Sequence, residues 1–186
     1  MIAESPYKIK VSEANDAKKL TKNIWLVILH ASRIPPHVGI LVDGNYNSLT
    51  IKGHELNVSV EALIKTITQK KIESIFIQLP PHPVFSSDYI REISQLYIQQ
   101  YTHVKHNEAT CLSPIKLILQ EFYAIPALDN ELLFEVVERL HQNQYVNDVV
   151  ALNISEIKNN EFSLPIYSNE ELQSVIEKER SIYYKD

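Results

Sequence analysis

The tripeptide Asp43-Gly44-Asn45 narrows the fold of this chain more than any other feature. Glycine and asparagine tolerate positive φ, so the segment reads as a hairpin turn between two strands, His37–Val42 and residues 48–52. Ile24-Trp25-Leu26-Val27-Ile28-Leu29, aliphatic and uncharged, reads as a buried strand just upstream, and Ser32-Arg33-Ile34-Pro35-Pro36 ends it. The first third of the chain is therefore expected to form an antiparallel sheet.

Residues 1–11 read as extended and poorly anchored, and Ser12 as the cap of a short polar helix over 13–22. Leu63, Ile64 and Ile67 give 58–69 helical spacing, and Glu73-Ser74-Ile75-Phe76-Ile77-Gln78-Leu79 reads as a strand. Pro80-Pro81-His82-Pro83 then forces an irregular connection to a helix opening at Ser87 or Asp88. After a polar loop over 102–109, Ile115, Ile118, Leu119, Phe122 and Tyr123 define an amphipathic helix from Ser113 that stops before Pro126.

Asp129 or Asn130 is expected to cap the next helix, buried through Leu132, Leu133, Val136, Val137 and Leu140. Residues 149–152 and 162–166 suggest a late hairpin, with Pro165 favouring an edge strand. Asn169 would cap a last charged helix, and the chain from Tyr183 onward reads as frayed. Strands mixed with helices outside regular βαβ alternation give an α+β fold class. The length fits a single domain over 1–186, with a core over 25–125 and a helix-and-hairpin extension over 126–186.

Composition removes several functions. A net charge of -5 without a basic run beyond doublets such as Lys18-Lys19 argues against nucleic acid as a partner. The longest apolar run, Ile24–Leu29, is far short of the about 20 residues that span a bilayer. The first residues show no signal peptide, and a lone cysteine permits no intrachain disulfide, so a cytoplasmic location is expected. Only three glycines are present, and neither a dinucleotide fingerprint nor a phosphate loop has its required spacing. No cofactor is expected. The histidines show neither a helical His-x-x-x-His pair nor clustered cysteines, so no metal site is assigned.

Chemistry concentrates on Cys111 and His37. Cys111 stands where a helix begins, and a thiol at a helix N-terminus has its anion stabilised by unsatisfied amides and the dipole. Its spacing to Ile115, Ile118 and Phe122 turns it to the packed side, which a buried structural cysteine would share. Ser113-Pro114 is itself a good cap and first helical residue, which would leave Cys111 just outside the helix. His37 opens its strand on the face of Gly39, where a glycine leaves space for another backbone or a substrate. A neutral imidazole near the thiol can take its proton. The orienting carboxylate would be Glu55 or Glu61.

His37-Val38-Gly39-Ile40 on a strand, Val60-Glu61-Ala62 downstream and Cys111 opening a later helix together resemble circularly permuted NlpC-type papain-fold proteins. That group includes the YiiX-like proteins and the lecithin retinol acyltransferase relatives. The resemblance covers residues 25–123 and departs from the family at Leu112, Ser113 and Pro114, after the cysteine. It implies a papain-like α+β fold in which the histidine precedes the cysteine. It also implies hydrolysis or transfer of an amide or ester acyl group through a cysteine thioester, on a peptide or lipid substrate. The alternative is a domain of the same fold, catalytically inactive and used for binding or scaffolding.

Overall fold

β2 (Ile24–Leu29) has no exposed residue, and the architecture follows from covering both of its faces. The computed structural model describes residues 7–12, 16–155 and 157–184. β2 lies inside a six-stranded antiparallel sheet of order β5-β4-β3-β2-β6-β7, with β3 His37–Val42, β4 Asn45–Thr50, β5 Gly53–Ser59, β6 Ser74–Leu79 and β7 Asp148–Leu152. The expected α+β class holds. Trp25, Val27, Leu29, Leu41 and Phe76 pack under α1 (Val60–Lys70) through Val60, Leu63 and Ile67. Ile24, Leu26, Ile28, Val38, Ile40 and Val42 face the other way, against α2 (Ser87–Gln99), α3 (Leu112–Tyr123) and α4 (Leu133–Gln142). Each large aliphatic side chain so buried stabilises the fold by roughly 1.5–3 kcal/mol relative to exposure.

The hairpin forms where expected but more tightly. Asp43 and Gly44 alone make the turn, with φ of 43° and 76°, so β4 returns from Asn45 and not from residue 48. Asp43 is pinned from behind, its backbone N–H donating to the Asn23 carbonyl at 2.9 Å and its carboxylate accepting from the Asn23 N–H at 2.8 Å. β5 was not foreseen because its sequence is polar, as befits an edge strand with its side chains largely exposed. The helix expected from residue 58 accordingly begins only at Val60, capped by the Ser59 side chain, which accepts from the Ala62 N–H.

A bulge between β4 and β5 shifts the register from Tyr46↔Val58 to Ser48↔Glu55. Two β5 residues, Leu56 and Asn57, thus oppose the single residue Asn47, and Asn57 adopts a φ of 53°. The fully buried Asn47 side chain holds this geometry, accepting from the Asn57 N–H at 2.9 Å and donating to the Asn45 carbonyl at 3.2 Å.

Several other expectations are corrected. The two late strands do not form a hairpin: β7 joins β6 at the edge of the main sheet, while β8 (Glu161–Leu164) pairs with β1 (Tyr7–Lys10). Residues 7–10, read as poorly anchored, are therefore held in a ladder, with Ile9 fully buried. Asp16, not Ser12, caps a short 3-10 helix over Ala17–Thr21, and the Ser12 hydroxyl donates to Asp148 instead; residues 13–15 lie outside the described residues. Leu132 precedes α4 in place of Asp129 or Asn130, and Ser168 caps α5 (Asn169–Tyr183) in place of Asn169. Among the described residues no helix is long and apolar enough to cross a membrane.

Asn47→Ala is expected to destabilise the protein by about 1–3 kcal/mol, because it strips a buried partner from the bulge. Urea denaturation measures this, and an unchanged midpoint would refute the role given to Asn47.

Candidate active site

The ladder between β3 and β4 runs from Val42↔Asn45 only as far as Gly39↔Ser48. By strand alternation from the closing pair, Ile40, Val38 and Pro36 turn their backbone groups toward β4. Beyond Gly39 the strands part, and the Cys111 thiol stands at that gap. Its sulfur is 4.0 Å from the Pro36 carbonyl oxygen, and the Val38 N–H lies within reach of it. The nucleophile candidate thus touches backbone on both sides of His37.

Local sequence explains how Cys111 reaches the gap. The Thr110 hydroxyl oxygen accepts from the Leu112 N–H at 3.2 Å, and the Ser113 hydroxyl oxygen accepts from the Thr110 N–H at 2.9 Å. Thr110 and Ser113 therefore close the helix start reciprocally. Cys111 has helical angles, φ -60° and ψ -23°, and holds the N-cap position just before the first turn of α3. Ser113 is a member of that turn and not its cap.

His37 is joined to a chain of polar groups across three strands. Its Nε2 is 3.2 Å from Ser48 Oγ, and Ser48 Oγ–H donates to Glu55 Oε2 at 3.0 Å. A hydroxyl has one hydrogen, which here goes to the carboxylate, so Ser48 accepts from His37 Nε2–H. This network assigns the tautomer, with the hydrogen on Nε2 and the lone pair on Nδ1. The bulge is what sets Glu55 opposite Ser48. Glu61 stands exposed in the first turn of α1 and joins none of these contacts.

Gly39 does not leave an open space. A Cβ at that position would meet Tyr46 Cε2 at 2.4 Å, so the glycine exists to admit the tyrosine ring. The Tyr46 hydroxyl is buried beside Ser48 without a hydrogen bond of good geometry, and burial pushes its ionisation above the ordinary range. Ser48 and Tyr46 were not foreseen as site residues. A two-residue turn at Asp43-Gly44, extended back along β3, would have paired Ser48 with Gly39 and Tyr46 with Leu41, on the sheet face that His37 shares.

Cys111, His37, Tyr46 and Glu55 line one cleft of about 440 Å³ with mainly apolar walls. Cys111 also lines a second, more polar cleft of about 710 Å³ over the start of α3. Burial lowers His37 from the usual 6.5 to about 4, with a smaller contribution from His30. Burial raises Cys111 from 9.0 to about 11, against the opposing pull of the Val38, Cys111 and Leu112 amides. At neutral pH the site is thus a thiol and a neutral imidazole. Among the described residues no group of three or more His, Cys, Asp or Glu is placed to hold a metal ion.

The His37 ring is expected to titrate in NMR spectra near pH 4 and not near 6.5. Because the folded state resists protonation, His37 contributes stability that is present above pH 6.5 and declines as pH falls toward 4. A ring titrating at its ordinary value would overturn the desolvation assigned to it.

Compared with protein-family models, with curated proteins and with solved structures, the chain matches none significantly.

Proposed function

We propose that this protein is a thiol hydrolase or acyltransferase of permuted papain-like arrangement, with Cys111 as nucleophile, His37 as general base, and Ser48 with Glu55 as the orienting pair. The observation that carries the reading is the directed chain from Glu55 through Ser48 to His37 Nε2, which leaves Nδ1 as the basic nitrogen of a ring that lines the same cleft as Cys111. A histidine oriented from behind in this way is the usual companion of an activated nucleophile.

In the proposed reaction the Cys111 proton passes to His37 Nδ1 as sulfur bonds to the carbonyl carbon of an amide or ester. The imidazolium then protonates the departing amine or alcohol, and a thioester is left on Cys111. Water releases the acyl group in hydrolysis, and an alcohol or amine acceptor releases it in transfer. Because both groups rest neutral, the proton moves during attack and no stored ion pair is required. The amides of Cys111 and Leu112 at the first turn of α3 offer donors near the sulfur.

The same burial favours a second reading, a domain used for binding or scaffolding in which Cys111 is an inert core thiol. Incubation with p-nitrophenyl acetate followed by intact-mass analysis separates the two. The catalytic reading expects release of p-nitrophenol with an acetyl adduct on Cys111. The acylation rate should fall by about 10²–10⁴ in His37→Ala and by a smaller factor in Ser48→Ala or Glu55→Gln. No adduct, or one formed at the same rate without His37, would leave only the binding reading.

A further inference from the structure

α5 crosses the Cys111 region and contributes walls to both clefts, Leu172 standing in each. Its two halves are held differently. The inner half has a reciprocal Ser168 and Glu171 cap, the buried Leu172 and Ile176, and hydrogen bonds from the Asn107 N–H to Gln173 at 2.7 Å and from Asn169 to the Asn130 carbonyl at 2.8 Å. Among the described residues, the outer half, which walls the His37 cleft through Glu179 and Tyr183, is held by exposed contacts. Arg33 pairs with Glu179 at 2.9 Å, with side chains 56% and 36% exposed. Lys52 lies 4.6 Å from the centre of the Tyr183 ring, and the Tyr184 hydroxyl donates to the Ile51 carbonyl at 3.0 Å.

These tethers join the outer end of α5 to the loop before β3 and to the β4–β5 turn, the two segments that flank the opening of the sheet. Exposed pairs of this kind are weak and break locally without loss of the fold. The apolar stripe beneath them includes Ile176 and Val175, and His37 and Cys111 lie in the cleft they wall. α5 is thus one wall of the cleft that holds the thiol.

We propose that the outer half of α5 is a strap over the Cys111 and His37 cleft, and that an acyl substrate reaches the thiol from that side only when the strap lifts from Arg33, Ile51 and Lys52. The inner half serves as the fixed end. The strap would regulate the site assigned above and rests on that reading for its purpose, but its motion does not depend on catalysis.

Alkylation of Cys111 in the full chain tests it, using iodoacetamide and the bulkier fluorescein maleimide at about pH 8, where any native thiol is measured through its small thiolate fraction. The combined variant Arg33→Ala, Lys52→Ala, Tyr184→Phe is expected to react with the maleimide about tenfold faster than the natural chain, as three weak contacts are lost together. The gain for iodoacetamide should be smaller. Amide exchange should quicken over residues 177–183 and stay unchanged in α3. Tyr184→Phe alone, which removes only the uncharged hydrogen bond to the Ile51 carbonyl, should quicken labelling about twofold to threefold and serves if the combined variant does not fold. The same gains are expected in a His37→Ala background, since access and not proton transfer is measured. Unchanged labelling in the loosened variants would overturn the strap even if Cys111 proves catalytic. Faster labelling without acyl transfer would uphold it while the catalytic reading fails.

Discussion

A strand with six consecutive buried residues must find apolar partners above, below and on both sides. β2 meets that demand through β3 and β6 as neighbours, α1 on one face and α2, α3 and α4 on the other. Everything that positions the candidate site is tied to this strand. β3 is locked to it over its full length, from Ile24↔Val42 to Leu29↔His37, so the backbone of His37 is fixed from the β2 side. On the β4 side the pairing stops early, and the free backbone there is where α3 delivers Cys111. One edge of β3 is scaffold and the other is site.

The polar chain depends on a second constraint, the odd residue in β5. Without the bulge, strand alternation would carry a different residue to Ser48, and Glu55 would lose its place opposite. The buried amide of Asn47 satisfies the irregular backbone and so fixes the register at the one point where chemistry needs it. Gly39 contributes by absence: a methyl group there would displace Tyr46, whose ring fills the sheet face between Gly39 and α1. Site geometry is thus built from two sheet irregularities and one missing side chain.

The parts of this that were legible in the sequence are those governed by local chemistry. The turn at Asp43-Gly44, the uncharged run of β2, and the apolar spacing of α3 all identify themselves within a few residues. His37 and Cys111 stood out as residue types at element starts, and Glu55 as a nearby carboxylate. What escaped were features set by distant partners. β5 reads as polar loop because its edge position, which relieves it of hydrophobic residues, is a property of the sheet. Residues 149–152 and 162–166 look alike as neighbouring strands, yet each finds a better partner far away, in β6 and in β1. Ser48 carries no mark of its own; only the register of two hairpins makes it the link between His37 and Glu55.

The electrostatics of the pair follow from the same enclosure. Three backbone amides, that of Val38 on β3 and those of Cys111 and Leu112 at the start of α3, pull the Cys111 thiol toward ionisation, and burial pushes harder in the opposite direction. His37 moves down for the same cause. Both shifts favour the proton on sulfur, so the two groups rest as a thiol and a neutral imidazole. Partial burial would also serve the proposed acyl transfer by limiting the water that reaches a thioester. An enclosed nucleophile whose resting form is neutral gains reactivity only when a carbonyl takes up the electrons as the proton leaves. The walls that silence the thiol are the walls that would protect its acyl form. α5 supplies the part of those walls held only by exposed contacts, each on the order of 1 kcal/mol or less. Silence and access can therefore alternate without disturbing β2 or anything packed on it.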